Sequence, residues 1–317
     1  MSTPQVASTT LAQDLTSQEI RKRKSRAWLL LRRNKATIFS LFFLALVILS
    51  GIFASLLSPH DPTLQDLNLR LKPPSWAEGG SSDLLLGADQ MGRDILSRLF
   101  FGARISLVVG VTAVLFSMGV GVMAGLLAGF YPRVLGLIVM RIADIQLSFP
   151  SLLVALALVV VLRGKHGTGS NVGIIILILG VTGWVTYARV VRAQVLAVSE
   201  MDYVTAARMV GCRDMRIVFL HILPNVVTPI IVLATLQVAT VIITESSLSF
   251  LGVGIQPPTP TWGGMLSDGK MYLRNAWWLA TFPGLAIFLT VLSINFVGDW
   301  LRDTFDPYMQ ARMGEGR

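Results

Sequence analysis

"ATIFSLFFLALVILSGIFASLL" (residues 36–57) runs for 22 positions without a charged side chain. About 20 apolar residues wound as a helix cross the roughly 30 Å of hydrocarbon in a bilayer. The stretch is therefore long enough to span a membrane. The rest of the 317-residue chain repeats the signal: 53% of residues are hydrophobic and 14% charged, against about 25% charged in an ordinary soluble domain. Five further apolar runs lie at 106–130, 134–162, 171–191, 224–250 and 277–298. The predicted fold class is an all-α integral membrane protein with six transmembrane helices.

The flanks of the first span are polar. Met1 to Glu19, rich in Ser, Thr and Gln, reads as a disordered tail. "RKRKSR" (residues 21–26), with Arg32, Arg33 and Lys35, anchors the span. A nuclear signal is the rival reading of that run and fits poorly before a membrane helix. A cleavable signal is excluded, because the charged region is too long and the apolar run exceeds the usual length of about 7–15 residues. Six spans put both termini on one side. The tail, the turn to Arg141, the segment from Arg189 to His221 and the C-terminus hold 18 Lys/Arg, and the opposite loops hold 9. The excess predicts that both termini are cytoplasmic. The net charge of +9 comes in short blocks beside apolar runs, not as the continuous stripe that nucleic acid requires. The predicted division is a tail at 1–35, the first span at 36–57, an extracytoplasmic segment at 58–104, a five-span core at 105–298 and a tail at 299–317.

Cys212 is the sole cysteine, which excludes an intrachain disulfide and any CxxC motif. His60, His166 and His221 are scattered and form no HExxH, so no metal site is expected. In "GRDILSRLFFGARIS" (residues 92–106), Ile95, Leu96, Leu99 and Phe100 share one helical face while Arg93, Asp94 and Arg98 fall elsewhere. That pattern predicts an amphipathic helix at the interface, or else an entry turn into the second span. Gly121, Gly125 and Gly129 recur every four positions and make a strip for close helix approach, within the chain or against a partner. The third run is 29 residues, about 43 Å as one helix, so its first part, with Arg141 and Asp144, is expected to leave the hydrocarbon. Pro150, Pro229 and Pro283 lie inside apolar runs, where each permits a kink.

A charged segment interrupts these runs: "TAARMVGCRDMRIVFLHILPN" (residues 205–225). From Asp202 to Val210 there is no Gly or Pro, so one short helix is expected. A second is expected over Cys212 to Leu220, after a glycine elbow at Gly211. Pro224 then opens the fifth span, where its missing N–H costs nothing. Ala206 and Ala207 give the first helix a small-side-chain face for another protein. The segment reads as a lever tied to spans four and five.

This pattern resembles the membrane subunits of ATP-binding-cassette (ABC) importers. Their cytoplasmic loop has the form EAA, three residues, Gly, nine residues, then I-x-L-P. Here Ala206-Ala207, Gly211 and His221-Ile222-Leu223-Pro224 keep that spacing. Two positions depart from the pattern: Thr205 replaces the usual Glu, the residue that engages the ATPase in the family, and His221 replaces the usual Ile. "LLGADQMGRDILSRLFFGARISL" (85–107), "MRIADIQLSFPSLLVAL" (140–156), "ESSLSFLGVGIQPPTPTWGGML" (245–266) and "GDWLRDTFDP" (298–307) resemble the C-type chain of the dipeptide/oligopeptide/nickel branch. The resemblance implies a type I permease core and a coupling loop at about 199–222, with Asp202, Tyr203, Val204, Thr205, Ala206, Ala207, Gly211, His221, Leu223 and Pro224 as its residues. It implies a homologous B-type permease, two cytoplasmic ABC ATPases and an extracytoplasmic substrate-binding protein as partners, in a bacterial or archaeal plasma membrane. No G-x-x-x-x-G-K-[ST] occurs in the sequence. The chain is thus expected to be no enzyme and to bind no cofactor, with ATP and Mg on the partner ATPases. Dipeptides, longer peptides, glutathione and nickel chelates share this permease type, peptide being the commonest cargo.

Other residues carry two readings each. Glu245, with Ser246 and Ser249, lines the pathway or anchors the following turn by hydrogen bonds. Trp262, Gly92, Arg93 and Asp94 touch the binding protein or form an outer gate; a rigid loop is the alternative for Trp262. Arg141 and Asp144 pair structurally, Arg189 and Arg192 anchor span four, and Asp299, Arg302 and Asp306 form a cytoplasmic clasp. An ion-coupled secondary transporter would show repeats in two halves, and an intramembrane enzyme a catalytic constellation within the spans; neither is found in the sequence. A purely structural subunit has no need of the elbow.

Overall fold

The computed structural model describes residues 31, 34–166 and 172–305. The basic anchor at 21–26, the loop at 167–171 and Asp306 with the C-terminal tail lie outside the described residues. All regular structure among the described residues is helical: α1 (Lys35–Ile52), α2 (Ala54–Leu57), α3 (Ile95–Phe130), α4 (Leu135–Leu147), α5 (Ser151–His166), α6 (Val172–Ser199), α7 (Asp202–Met209), α8 (Asp214–Arg216), α9 (Leu223–Phe250), α10 (Trp262–Gly269) and α11 (Trp278–Phe305). Five helices are long and apolar enough to cross a membrane, and a sixth crossing arises if α4 and α5 count as one bent span.

Starts and stops follow local chemistry. Asn34 caps α1, its Oδ1 accepting from the N–H groups of Ala36 and Thr37 at 3.1 and 3.4 Å. Asp94 caps α3, accepting from Ser97 N at 3.0 Å. These caps satisfy donors that have no partner inside the helix.

Two expectations for the spans change. The segment expected as an interfacial helix is instead the first turns of α3, a continuous helix of 36 residues; the entry-turn reading is the one the structure adopts. The third run is not one rod. It breaks at residues 148–150 and the two arms meet at 90°. The residue before a proline is pushed out of the α region, so Phe149 and Pro150 end α4 rather than merely bending it. At 13 and 16 residues the arms are about 20 and 24 Å long, each too short to cross alone. Asp144 pairs with Arg189 of α6 at 2.5 Å, between helices, rather than with Arg141.

The core is the contact of α3 with α6. They run parallel, because the α4–α5 crossing lies between them in the chain. Gly121, Gly125 and Gly129 face α6: a methyl at Gly125 would lie 2.8 Å from the Ala188 carbonyl oxygen and 2.7 Å from Val191 Cβ. The glycine strip is therefore used within the chain. Close approach of backbones is what holds helices together where lipid supplies no hydrophobic drive. α9 packs on α3, α6 and α11, with Gly110 of α3 set against Ile242. Pro229 and Pro283 sit inside the intact helices α9 and α11. The starts of α1 and α9 and the ends of α3, α6 and α11 lie at one end of the bundle, together with α7. We call this the elbow end, and the opposite one the far end.

Candidate functional site

At the elbow end α6 stops at Ser199, and after Glu200 and Met201 the chain re-enters helix as α7. Asp202 stands in the first turn of α7 and Arg208 in the last. Both signs oppose the partial charges of the helix ends. Val204 is fully buried, in a cluster with Val198, Ile217, Ile222 and Val226. It is the pin that docks α7. Thr205 and Ala206 point to solvent, and Ala207 is half-buried against the same cluster.

The exit from α7 explains the spacing of Ala207 and Gly211. Gly211 N–H donates to the Arg208 carbonyl at 3.0 Å, and Cys212 N–H to the Ala207 carbonyl at 3.1 Å. This pair of bonds is a Schellman motif, which needs a left-handed residue at the first position after the cap. Gly211 has φ +80°. A Cβ there would meet nothing within 4 Å, so backbone conformation, not space, demands glycine. Ala207 and Cys212 pack on the same buried cluster, the apolar contact that accompanies the motif.

Beyond the elbow, the structure corrects the expectation of a second separate helix ending before span five. α8 passes through a π-helical turn, Ile217–Ile222, directly into α9. The result is one helical run from Asp214 to Phe250, 37 residues long. Pro224 is the physical cause. It lacks an N–H, and its ring crowds the carbonyl four residues back. The turn before it widens, and Leu223 N–H donates to Val218, five residues back. The missing donor is thus absorbed within a continuous helix.

Side chains fasten the elbow to its surroundings. Asn225 Nδ2 donates to Tyr203 Oη at 3.1 Å and to the His221 carbonyl at 2.7 Å, tying α7 to the first turn of α9. The His221 ring lies 6.4 Å from that of Tyr203. Tyr131 Oη donates to Asp214 at 2.8 Å. That hydrogen bond raises the phenol above its ordinary range, with smaller contributions from burial and from the carboxylate charge. The Arg208 guanidinium stands 5.5 Å from the Phe130 ring. A cleft of about 580 Å³ lies between these elements, lined by Tyr131, Arg133, Glu200 and Arg208 among others. Met209 and Val210 are 78% and 83% exposed, and Met215 and Leu220 project as well. The elbow thus presents an apolar surface held by a single buried pin.

The remaining sequence candidates lie elsewhere. Glu245, Ser246 and Ser249 are enclosed by the chain itself, Glu245 being 1% exposed. Glu245 Oε1 accepts from Ser249 Oγ at 2.7 Å, and α10 lies so close that a methyl on Gly263 would sit 2.5 Å from Ser246 Cα. Glu245 and Ser249 are thus turned into the protein, while Ser246 reaches the wall of an open cleft beside Ile243, Ser247 and Phe250. Arg93 and Asp94 do not offer a docking surface either, each being 4% exposed. Arg93 Nε donates to Asp89 at 2.6 Å and its Nη2 to Asp268 at 3.2 Å. Arg98 bonds both Asp89 and Asp268. Gly92 holds φ +75° in the tight turn between Asp89 and Arg93. Trp262 is buried, and its Nε1 donates to the Leu99 carbonyl at 3.0 Å. Together these residues clasp α10 to the start of α3. Asp89 and Asp268 are the members that sequence reasoning missed: the i,i+4 spacing of Asp89 and Arg93 is a local signal, whereas the pairing of Arg93 with Asp268 across 175 positions leaves none.

A family model described as binding-protein-dependent transport system inner membrane component matches residues 121–311, well over half of the chain. The chain belongs to that family. A second model, the N-terminal transmembrane domain of oligopeptide transport permease C, matches residues 24–74. The di/tripeptide transport system permease protein DppC of Pseudomonas aeruginosa is 42% identical over 283 residues, covering 89% of this chain and 91% of the relative. The dipeptide transport system permease protein DppC of Escherichia coli K12 is 45% identical over 283 residues, with 89% and 92% covered. The glutathione transport system permease protein GsiD of Pectobacterium atrosepticum is 40% identical over 281 residues, with 89% of each covered. An inward-facing MetNI methionine ABC transporter structure aligns with a TM-score of 0.54 at 21% identity, covering 66% of this chain and 97% of that one, and so shares the fold. This permease is a multi-pass inner-membrane subunit of an ABC importer and not itself an enzyme. Such importers work with ATPase subunits, which hydrolyse ATP, and with a substrate-binding protein.

Proposed function

We propose that this permease forms half of the translocation pathway for di- and oligopeptides. It pairs with a homologous B-type permease above two ATPases, which are the subunits that bind ATP and Mg. Both termini and α7 face the cytoplasm of a bacterium or archaeon, in keeping with the 18-to-9 excess of Lys/Arg on that side. The peptide cargo is supported by the dipeptide permeases among its relatives. Glutathione is the second reading, favoured by one relative at 40% identity; a nickel chelate is the third.

The observation that carries the coupling role is the build of the elbow. Val204 is the one fully buried residue of α7, helped by half-buried Ala207 and the Tyr203–Asn225 bond, and the helix bears an exposed apolar surface at Met209 and Val210, while Asp202, Tyr203, Thr205 and Ala206 complete its outer face. Gly211 sets the angle. His221, Leu223 and Pro224 carry the load into α9. An ATPase gripping α7 moves the start of α9 and the end of α6 together. For this to drive transport, two arrangements of the bundle must lie close enough in energy for the docked ATPase to choose between them.

Reconstitution tests the reading. Vesicles holding this permease, its B-type partner, both ATPases and the binding protein are expected to take up labelled dipeptide only with ATP. Uptake of glutathione or a nickel chelate with none of dipeptide would overturn the cargo. Uptake driven by an ion gradient without ATP would overturn the importer in favour of a secondary transporter.

A further inference from the structure

At the far end a groove runs between α1 and α3. Ile48, Gly51 and Ile52 form one wall, and Leu107, Val108 and Val111 the other; Thr112 and Arg104 close it, and its volume is about 470 Å³. The floor is tight, since a methyl on Gly51 would lie 3.1 Å from Arg104 N. Ile48, Ile52, Val108 and Val111 are each about half exposed. Arg104 is the only charged residue in the lining.

Arg104 has a fixed place. Its Nε donates to the Gly51 carbonyl at 2.8 Å and its Nη2 to the Ile52 carbonyl at 2.9 Å. These carbonyls end α1, where no intrahelical N–H reaches them. A guanidinium has five N–H groups, and the two bonds leave three. The depth of this group in the bilayer follows from α1. The helix has 18 residues, about 27 Å at 1.5 Å each, against roughly 30 Å of hydrocarbon. With Lys35 at one boundary, Arg104 sits at the other, the level of lipid phosphates. From Arg104 the groove follows α3 to Thr112, about 12 Å along the helix, close to the roughly 15 Å depth of one leaflet.

We propose that this groove holds one glycerophospholipid, its phosphodiester on Arg104 and one acyl chain along Ile48, Ile52, Val108 and Val111. Charge and shape both select it. The apolar walls need hydrocarbon, and although the Phe101 ring lies 5.2 Å from the Arg104 guanidinium and covers one of its faces, three N–H groups at its edge remain for an acceptor, and leaving them without one is costly. A phosphodiester accepts them with charge-assisted bonds. The lipid would brace α1 against α3 through the same arginine that caps α1.

The test uses the whole importer purified from membranes, stripped by detergent exchange and weighed by native mass spectrometry. Wild type is expected to retain one phospholipid. Val108→Trp fills the groove at an exposed position without touching the cap, and is expected to lose the lipid. Arg104→Gln should weaken retention by about tenfold, the scale of one charge-assisted hydrogen bond, and Arg104→Lys should restore part of it. Added phosphatidylglycerol should displace the bound lipid, and diacylglycerol, which lacks the phosphate, should not. Equal retention by wild type and Val108→Trp would overturn the proposal, as would displacement by diacylglycerol. Full-yield cross-linking of Val108→Cys to another protein chain, in a Cys212→Ser background, would assign the groove to a protein neighbour instead.

Discussion

Replacing Gly211 isolates what the elbow angle is worth. The residue holds φ +80° with open space around it, so a new side chain adds backbone strain and no clash. For an ordinary L-residue the left-handed conformation costs about 1–2 kcal/mol; Asn tolerates it best and β-branched residues worst. The elbow is held by two Schellman bonds, each worth about 0.5–1.5 kcal/mol, and by burial of Val204, worth about 1.5–3 kcal/mol. Together these amount to about 2.5–6 kcal/mol, so the strain of an ordinary residue erodes the margin and the larger strain of a β-branched one approaches its lower end. Gly211→Asn should leave the elbow closed, Gly211→Ala should reduce the margin, and Gly211→Val should open it in a sizeable fraction of molecules. Cys212 reports the opening without any assumption about cargo. It is the sole cysteine, half-buried, and it donates the bond that closes the motif. Maleimide labelling of Cys212 in native membranes should rise several-fold from Gly to Val, with Asn close to wild type. Uptake per ATP hydrolysed in reconstituted vesicles should fall in the same order. If Asn damages the elbow as much as Val, or Val leaves labelling unchanged, the left-handed glycine is not what sets the angle.

Val204→Ala removes the buried pin at a cost of about 2 kcal/mol; α7 should become more labile by hydrogen exchange while the spans keep their protection. Gly125→Leu should force α3 from α6, because even a methyl there meets the Ala188 carbonyl oxygen at 2.8 Å, whereas Gly119→Ala, with nothing within 4 Å, should be neutral; folded yield from membranes separates the two. Asp89→Asn leaves Arg93 and Arg98 short of a buried counter-charge, and breaking a buried pair costs about 3–5 kcal/mol, so a clear drop in the thermal midpoint is expected. The Tyr131 phenol is raised by its bond to Asp214, so that link is intact below the ordinary tyrosine pKa of about 10 and is lost as pH rises through the higher folded value. The tyrosine absorbance difference between wild type and Tyr131→Phe should titrate above about 10; a midpoint below that would show that the bond does not persist in solution.

The elbow is legible in the sequence because its causes are local. A helix-friendly run, one glycine and four intervening residues after Ala206 are enough to write a Schellman exit. The spans are legible because lipid demands long apolar helices. What stays hidden depends on distant partners or on choices that a local rule leaves open. Arg93, Asp94 and Arg98 read as the wet face of an amphipathic helix only while solvent is assumed to lie there. In the structure Asp89 and Asp268 occupy that side, and Asp268 comes from 170 or more positions away. Pro150 and Pro224 carry the same chemistry and end differently. At Pro150 the chain breaks by 90°, whereas at Pro224 a widened turn keeps the helix whole.

That second outcome matters for the mechanics. One helical run from Asp214 to Phe250 is about 55 Å long, more than the thickness of the hydrocarbon. Its first turns are fastened by Tyr131, Tyr203 and Asn225. Near its other end Ser246 and Ser249 pack against Gly263 of α10, and α10 bears Asp268, the outer partner of Arg93 and Arg98. Two separate helices joined by a flexible link would dissipate a displacement at the elbow. On the coupling proposed above, a continuous rod would deliver it to α10, whose Asp268 belongs to the ion cluster of Asp89, Arg93 and Arg98. Close-packed and charge-paired contacts of this kind switch between discrete arrangements and do not stretch. The two ends of α9 are therefore held differently: at the elbow by one buried valine and a few exposed hydrogen bonds, and at the far end by close packing on α10 and a buried ion cluster; on the coupling proposed above, force applied at the first is read out at the second.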